Sequence, residues 1–221
     1  MKSNKFVLAS VILVLATFAL SLAFYSSVPA TMASHWDAQG VANGTTSRFW
    51  GLFLLPLMSL GITALLLAIP KIDPLKTNIQ KFQGYYYGFV VVLLVYFLYI
   101  HLLTLLWNGG WRFNFSQAII PSFGFLMFFL GFLLGKAKRN FFIGIRTPWT
   151  LSNDEVWNRT HRLGGTLFKI AGVIIFLMAL VPTAAIYALL VLILGVTVWL
   201  TIYSYLIYRR LGLPPQPPIG R

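Results

Sequence analysis

Uninterrupted apolar runs, each about as long as a bilayer is thick, constrain this chain more than any other feature of its sequence. One runs from Phe6 to Tyr25, a second from Phe49 to Ile69, a third from Tyr85 to Trp107, and a shorter fourth from Gln117 to Leu134. About 20 consecutive apolar residues cross the hydrocarbon as a helix. A helix is favoured there because it satisfies its own backbone groups where no water can. The last run, Thr166 to Tyr208, carries Lys169 as its single charge and is too long for one crossing. Pro182 sits near its middle, so a hairpin of two spans broken at that proline is expected. The fold class is therefore all-α: a polytopic membrane protein with six transmembrane helices. The first run resembles a signal peptide in its basic start, but its apolar core exceeds the roughly 7–15 residues of such segments, so a retained span is expected.

Charge supports this reading. Of the residues, 58% are hydrophobic and only 10% are charged, against about 25% charged in an ordinary soluble domain. Asp37, Asp73, Asp154 and Glu155 are the only acids in the chain. The formal charge of +13 does not indicate nucleic-acid binding, because the basic residues fall in the gaps between apolar runs. With the N-terminus placed inside, 15 of the 17 Lys and Arg lie on the cytoplasmic side, and only Arg48 and Arg112 lie outside. The positive-inside bias then puts both termini in the cytoplasm of a multi-pass cell-membrane protein. Anionic lipid is an expected partner of the basic face, at about 1 kcal/mol per basic residue near the surface. Trp50, Trp107 and Trp111 fall at outer boundaries and Tyr85, Tyr86, Tyr87 and Tyr208 at inner ones, as interfacial belts do. Gly84 with Gly88, and Gly124 with Gly131 and Gly135, mark faces where helices of one bundle can approach closely. The tail Pro214-Pro215-Gln216-Pro217-Pro218 is expected to be an extended, mobile end.

Few residues can carry chemistry. With no cysteine there is neither a disulfide framework nor thiol chemistry. His35, His101 and His161 are assigned outside, within and inside the membrane, so no metal site and no catalytic residue is expected, and no cofactor. His101 is an ionisable group in a span, which makes it a functional candidate. A small-molecule transporter using His101 is the alternative function from another class, although no acid in any span partners it. A lipid-interacting scaffold is a third reading.

Two loops have dense, unusual sequence. Between the first two spans, Pro29 is expected to stop the helix, and Gly40 and Asn43-Gly44 to supply turns around His35-Trp36-Asp37. This segment is either an interfacial Trp with polar caps or a ligand-contact loop. Between the fourth and fifth spans lies a basic loop, 136–165. Pro148 holds Thr147 extended. Ser152 and Glu155 form an S-x-x-E capping box that predicts a helix beginning at Ser152, with Glu155 and Arg159 paired four residues apart. Trp157, His161 and Gly164 share one face of that helix, which is expected to lie on the inner membrane surface. It either anchors the fold or docks a cytoplasmic partner.

The stretch Ile143-Gly144-Ile145-Arg146-Thr147-Pro148-Trp149-Thr150-Leu151, with Val156-Trp157, resembles the signature of the SdpI family of membrane immunity proteins. Pro29…His35-Trp36-Asp37…Gly40 resembles the extracytoplasmic motif of the domain of unknown function that often precedes it. Position 37 is Asp where that pattern often has Asn, and His161 stands where Asn is common. The resemblance implies protection of a cell against a secreted, hydrophobic peptide toxin. In some systems such a protein also acts as a receptor that holds a transcriptional repressor at the membrane. The implied ligand-binding residues are His35, Trp36, Asp37 and Gly40. The implied signalling and immunity residues are Arg146, Thr147, Pro148, Trp149, Asn153, Trp157 and Arg162. The chain divides accordingly into an N-terminal three-helix half, 1–110, and a C-terminal SdpI-like half, 111–221.

Overall fold

The computed structural model describes residues 2–212. Six of its helices are long and apolar enough to cross a membrane: α1 (Lys2–Ala23), α2 (Arg48–Ile72), α4 (Gln83–Asn108), α5 (Phe115–Lys136), α7 (Asp154–Leu177) and α8 (Pro182–Arg210). Two short helices, α3 (Lys76–Gln80) and α6 (Pro148–Ser152), lie in the loops. The long final run divides as expected. α7 ends at Leu177, a 3-10 turn covers Met178–Leu180, and α8 opens at Pro182. Proline is well placed there because the N–H it lacks would find no partner in a first turn. The proline-rich tail lies outside the described residues.

Two features differ from the sequence reading at the ends of α1 and α7. α1 ends at Ala23 and unwinds through turn residues well before Pro29, so the proline does not terminate it. No separate surface helix begins at Ser152. α7 starts at Asp154 and continues without a break into the fifth span.

Prolines inside spans create a specific need. A proline removes the donor for the carbonyl four residues before it, and hydrocarbon offers no water in its place. In α2, Pro56 leaves Leu52 O without its helical donor, and Ser21 Oγ of α1 donates to it at 2.6 Å. Pro70 does the same to Leu66 O, which accepts from Tyr86 Oη of α4 at 2.6 Å. Tyr86 is 1% exposed, so it is a core residue and not part of an interfacial belt. Trp50 and Trp111 are exposed, as belt residues are.

α5 and α7 pack most closely, through glycine. A Cβ on Gly172 would lie 2.6 Å from Gly124 O, and one on Gly165 would lie 2.8 Å from Gly131 O. These glycines serve packing within the bundle. Gly84 and Gly88 do not share that role: a Cβ on Gly84 would meet nothing within 4 Å, and one on Gly88 would only reach Phe6 at 4.0 Å. Lys169, the one charge in the final run, keeps its ammonium 5.1 Å from the Phe132 ring centroid.

Gly165→Val is expected to cost at least the ~1–3 kcal/mol of an overpacked core. Gly84→Ala is expected to leave stability unchanged or slightly raised. Thermal unfolding of the two variants in one detergent checks this.

Candidate functional site

The two loops singled out in the sequence fold at opposite ends of the bundle. The first is a β-hairpin, which the helical reading did not foresee. β1 (Thr31–Trp36) pairs antiparallel with β2 (Ala42–Ser47), with register shifts on either side of His35. Asp37 Oδ1 accepts the N–H groups of Gln39 and Val41, both at 2.9 Å, and Gly40 closes the turn at φ +81. That backbone region favours glycine, and a Cβ at position 40 would also collide with the Asn114 side chain. Asn43 and Gly44 are strand residues, not turn residues. Gly44 lies opposite His35, where a Cβ would come within 2.9 Å of His35 Cβ.

The hairpin is seated on the ends of α4 and α5. Trp36 stacks on Phe115 with centroids 3.7 Å apart and planes 3° apart, and meets Trp107 edge-on at 5.5 Å. Asn108 clamps the first strand, accepting from Ala33 N at 2.7 Å and donating to Ala33 O at 3.1 Å. Ser116 Oγ donates to Asp37 O, and Asn114 Nδ2 to Gln39 O. Trp36, Asp37 and Gly40 thus build the hairpin and its seat. His35 remains exposed, bonded through Nδ1 to Asn43 Oδ1 at 2.5 Å.

Below the hairpin, His101 is fully buried. Ser21 has one proton and gives it to Leu52 O, so His101 Nε2–H donates to Ser21 Oγ at 2.8 Å. This places a proton on Nε2 and ties α1, α2 and α4 together. Its Nδ1 has no partner among the described residues.

At the other end, the signature loop is built from nested caps. Thr147 caps α6: Thr150 N donates to Thr147 Oγ1, and Thr147 N donates to Thr150 Oγ1 at 2.9 Å. Pro148 is the first residue of that helix. Asn153 caps α7 by accepting from Glu155 N and Val156 N. The predicted Ser152–Glu155 box is therefore replaced by two other caps, and Ser152 Oγ donates to Trp149 O instead. The reason is local: Pro148 starts its own turn, so the chain between it and Asp154 must break and restart. Thr147 Oγ1 also meets Ser204 Oγ of α8 at 3.0 Å, and Trp149 packs on Tyr205 at 5.0 Å.

Beneath the caps, Trp157 stacks on His161 at 3.9 Å and donates from Nε1 to Ala137 O. His161 Nε2 accepts from Ile145 N, and its Nδ1–H donates to Trp157 O, both at 2.9 Å. Gly144, at φ +115, passes against the Nε2 edge of the His161 ring, where a Cβ would collide with Nε2. The Ile-Gly-Ile stretch of the signature follows from this approach. Arg146 stays exposed and donates from Nη1 to Phe141 O at 2.7 Å. Arg162 is also exposed and faces outward beside Tyr203. Glu155 and Arg159 pair at 2.6 Å, as the spacing predicted.

Several residues that position this loop were not singled out in the sequence. Asn140 is fully buried and uses its whole amide: Oδ1 accepts from Phe142 N and Ile143 N, and Nδ2 donates to Lys138 O and Ile143 O. Arg139 pairs with Asp154 at 2.8 Å and donates to Leu151 O. Asp73, 2% exposed, follows α2 and accepts from Leu75 N at 2.6 Å and Phe141 N at 2.9 Å. Asn78 Nδ2 adds a bond to Arg139 O. The loop after α2 is thereby fastened to the signature loop. An Asp-Pro step in a chain with four acids was the available signal. Among the described residues, no three His, Asp or Glu side chains come together as a metal site would require.

Six spans, a seated hairpin at one end and a capped signature loop at the other define a multi-pass membrane protein of distinctive build. Residues 136–204 match the model of the SdpI/YfhL protein family, and residues 12–60 match that of the Domain of unknown function (DUF1648). The chain is 27% identical over 215 residues to Immunity protein SdpI of Bacillus subtilis (strain 168), covering 96% of this chain and 99% of that protein. These matches bear out the resemblance to the SdpI family, with the second domain preceding the SdpI segment. No solved structure matches.

Replacing Asp73 with Ala leaves two backbone N–H groups without their carboxylate, each bond worth about 1.5–3 kcal/mol. The variant is expected to lose stability and to expose the 137–153 loop. Limited proteolysis at matched folded fraction should show faster cleavage there than in wild type.

Proposed function

We propose that this chain protects a cell from a secreted, hydrophobic peptide toxin. The observation that carries this reading is the match to an immunity protein over 96% of the chain, spanning both loop motifs. The orientation proposed is that of the charge distribution, with the hairpin outside and the signature loop, both termini and most Lys and Arg in the cytoplasm. A toxin of that kind partitions into the outer leaflet, where it meets the exposed edge of the hairpin at His35, beside the Trp36–Phe115 stack. The exposed Arg146 and Arg162 are the candidates for protection, and Arg146, presented by the capped loop, is the candidate for holding a cytoplasmic repressor. The remaining motif residues act by shaping these two surfaces.

Signalling needs a ligand that prefers one of two arrangements. The His101–Ser21–Leu52 link joins the three helices that lie beneath the hairpin, so it is the element whose geometry a toxin at the hairpin would bias. The N-terminal half thus supplies capture, and the C-terminal half supplies the response.

Survival of toxin-sensitive cells tests the reading. Wild type is expected to raise the lethal dose of a hydrophobic killing peptide. Arg146→Ala, at matched membrane abundance, should abolish that protection without unfolding the protein, because Arg146 is exposed. Equal killing with and without wild type would reject the proposal for that toxin.

Orientation has a direct test, since the chain has no native cysteine. A single Ser34→Cys is expected to react with an impermeant maleimide on intact cells, and Phe142→Cys only after permeabilisation.

A further inference from the structure

Between α7 and α8, at the end of the bundle that carries the signature loop, lies an open groove of about 520 Å3. Glu155, Asn158, Arg159, Arg162, Leu163 and Tyr203 are among the residues lining it. Its charge is specific. Glu155 lies 2.6 Å from Arg159 and offsets it. Arg162 makes no ion pair with any described residue. The groove therefore presents one uncompensated positive charge, on a guanidinium whose fork fits two oxygens of a phosphate.

Its depth is specific as well. Tyr203 adjoins Ser204, which bonds to Thr147 of the signature loop. Ile202 beside Tyr203 and Trp199 one turn deeper on α8 are exposed, followed by Val198. On α7, Ile170, Val173 and Ile174 are exposed below Arg162. The groove thus sits where aromatic residues and the first apolar residues meet, which is headgroup depth, and apolar helix faces continue from it into the hydrocarbon.

We propose that this groove binds the phosphodiester headgroup of an anionic glycerophospholipid, with Arg162 as the charge-bearing contact. The acyl chains lie along the exposed apolar faces of α7 and α8. One negative charge on a phosphodiester matches the single free positive charge. A phosphate dianion would exceed that charge and would leave the apolar faces uncovered. An acidic protein segment would have to enter the membrane interface to reach Arg162. The inference does not depend on the immunity reading.

The test uses the full chain in nanodiscs of mixed phosphatidylglycerol and phosphatidylcholine, with native mass spectrometry counting the lipids retained as the annulus is stripped. Wild type is expected to retain phosphatidylglycerol. Arg162→Gln should lower that retention about fivefold, the loss of one interfacial basic contact. A double variant with Arg209→Gln and Arg210→Gln, basic residues of the same end outside the groove, should retain it. Arg162→Lys, which keeps the charge but loses the fork, should fall between, and it serves if the Gln variant does not fold. Equal loss in Arg162→Gln and the double variant would mean a diffuse field and would overturn the site, as would retention unchanged in Arg162→Gln. Arg162-dependent binding of inorganic phosphate in phosphatidylcholine discs, undisturbed by phosphatidylglycerol, would overturn the lipid assignment. So would displacement of phosphatidylglycerol by a soluble polyglutamate peptide.

Discussion

A backbone carbonyl in hydrocarbon must find a donor within the protein, and the membrane half of this structure is arranged around that requirement. Straight helices meet it alone. Helix α2 does not, because Pro56 and Pro70 each free one carbonyl. Both are recovered by side chains from other helices, Ser21 of α1 and Tyr86 of α4. The prolines therefore specify which helices must be neighbours and at what depth. Apolar burial cannot do this between spans, since lipid tails are as apolar as the core.

The same logic explains the two ends. Wherever the chain leaves the helical ladder it pairs its backbone with fixed polar side chains. Asn108 clamps a strand, Asn140 clamps a loop, and Asp73 accepts from two separate segments. Most of the motif residues are spent on this. Gly40, Gly144, Thr147, Pro148, Asn153 and Trp157 shape surfaces, while His35, Arg146 and Arg162 stand on them. A motif shared with a family can thus be mostly scaffold, with its working contacts at a few exposed positions.

α5 and α7 give the bundle its tightest contact. Gly124 against Gly172 and Gly131 against Gly165 bring two backbones together. Since α7 runs directly from the signature loop into the span, that packing also fixes where Trp157 and His161 sit. The loop is thus continuous with the core of the membrane domain.

Hydropathy and charge in the sequence alone determined the six spans and the break at Pro182, and helical spacing the packing role of Gly124 and Gly131, because each depends on local composition or period. The location of both special loops was legible for the same reason. The hairpin was not: β1 and β2 are short, and their pairing is held by residues distant in sequence, through the stacking of Trp36 on Phe115, the Asn108 clamp and the bonds from Asn114 and Ser116. The start of α7 was misread because Ser152-x-x-Glu155 satisfies the local rule, while Thr147 and Asn153 compete for the same turns and are supported by Ser204 and the Pro148 turn. Asn78 and Asn140 were invisible for want of any local pattern, and the Asp-Pro step at Asp73 marked a turn without indicating its partner. Their roles exist only when two loops meet, and tertiary structure decides that, because a buried polar group takes whichever partner the fold brings within hydrogen-bonding distance.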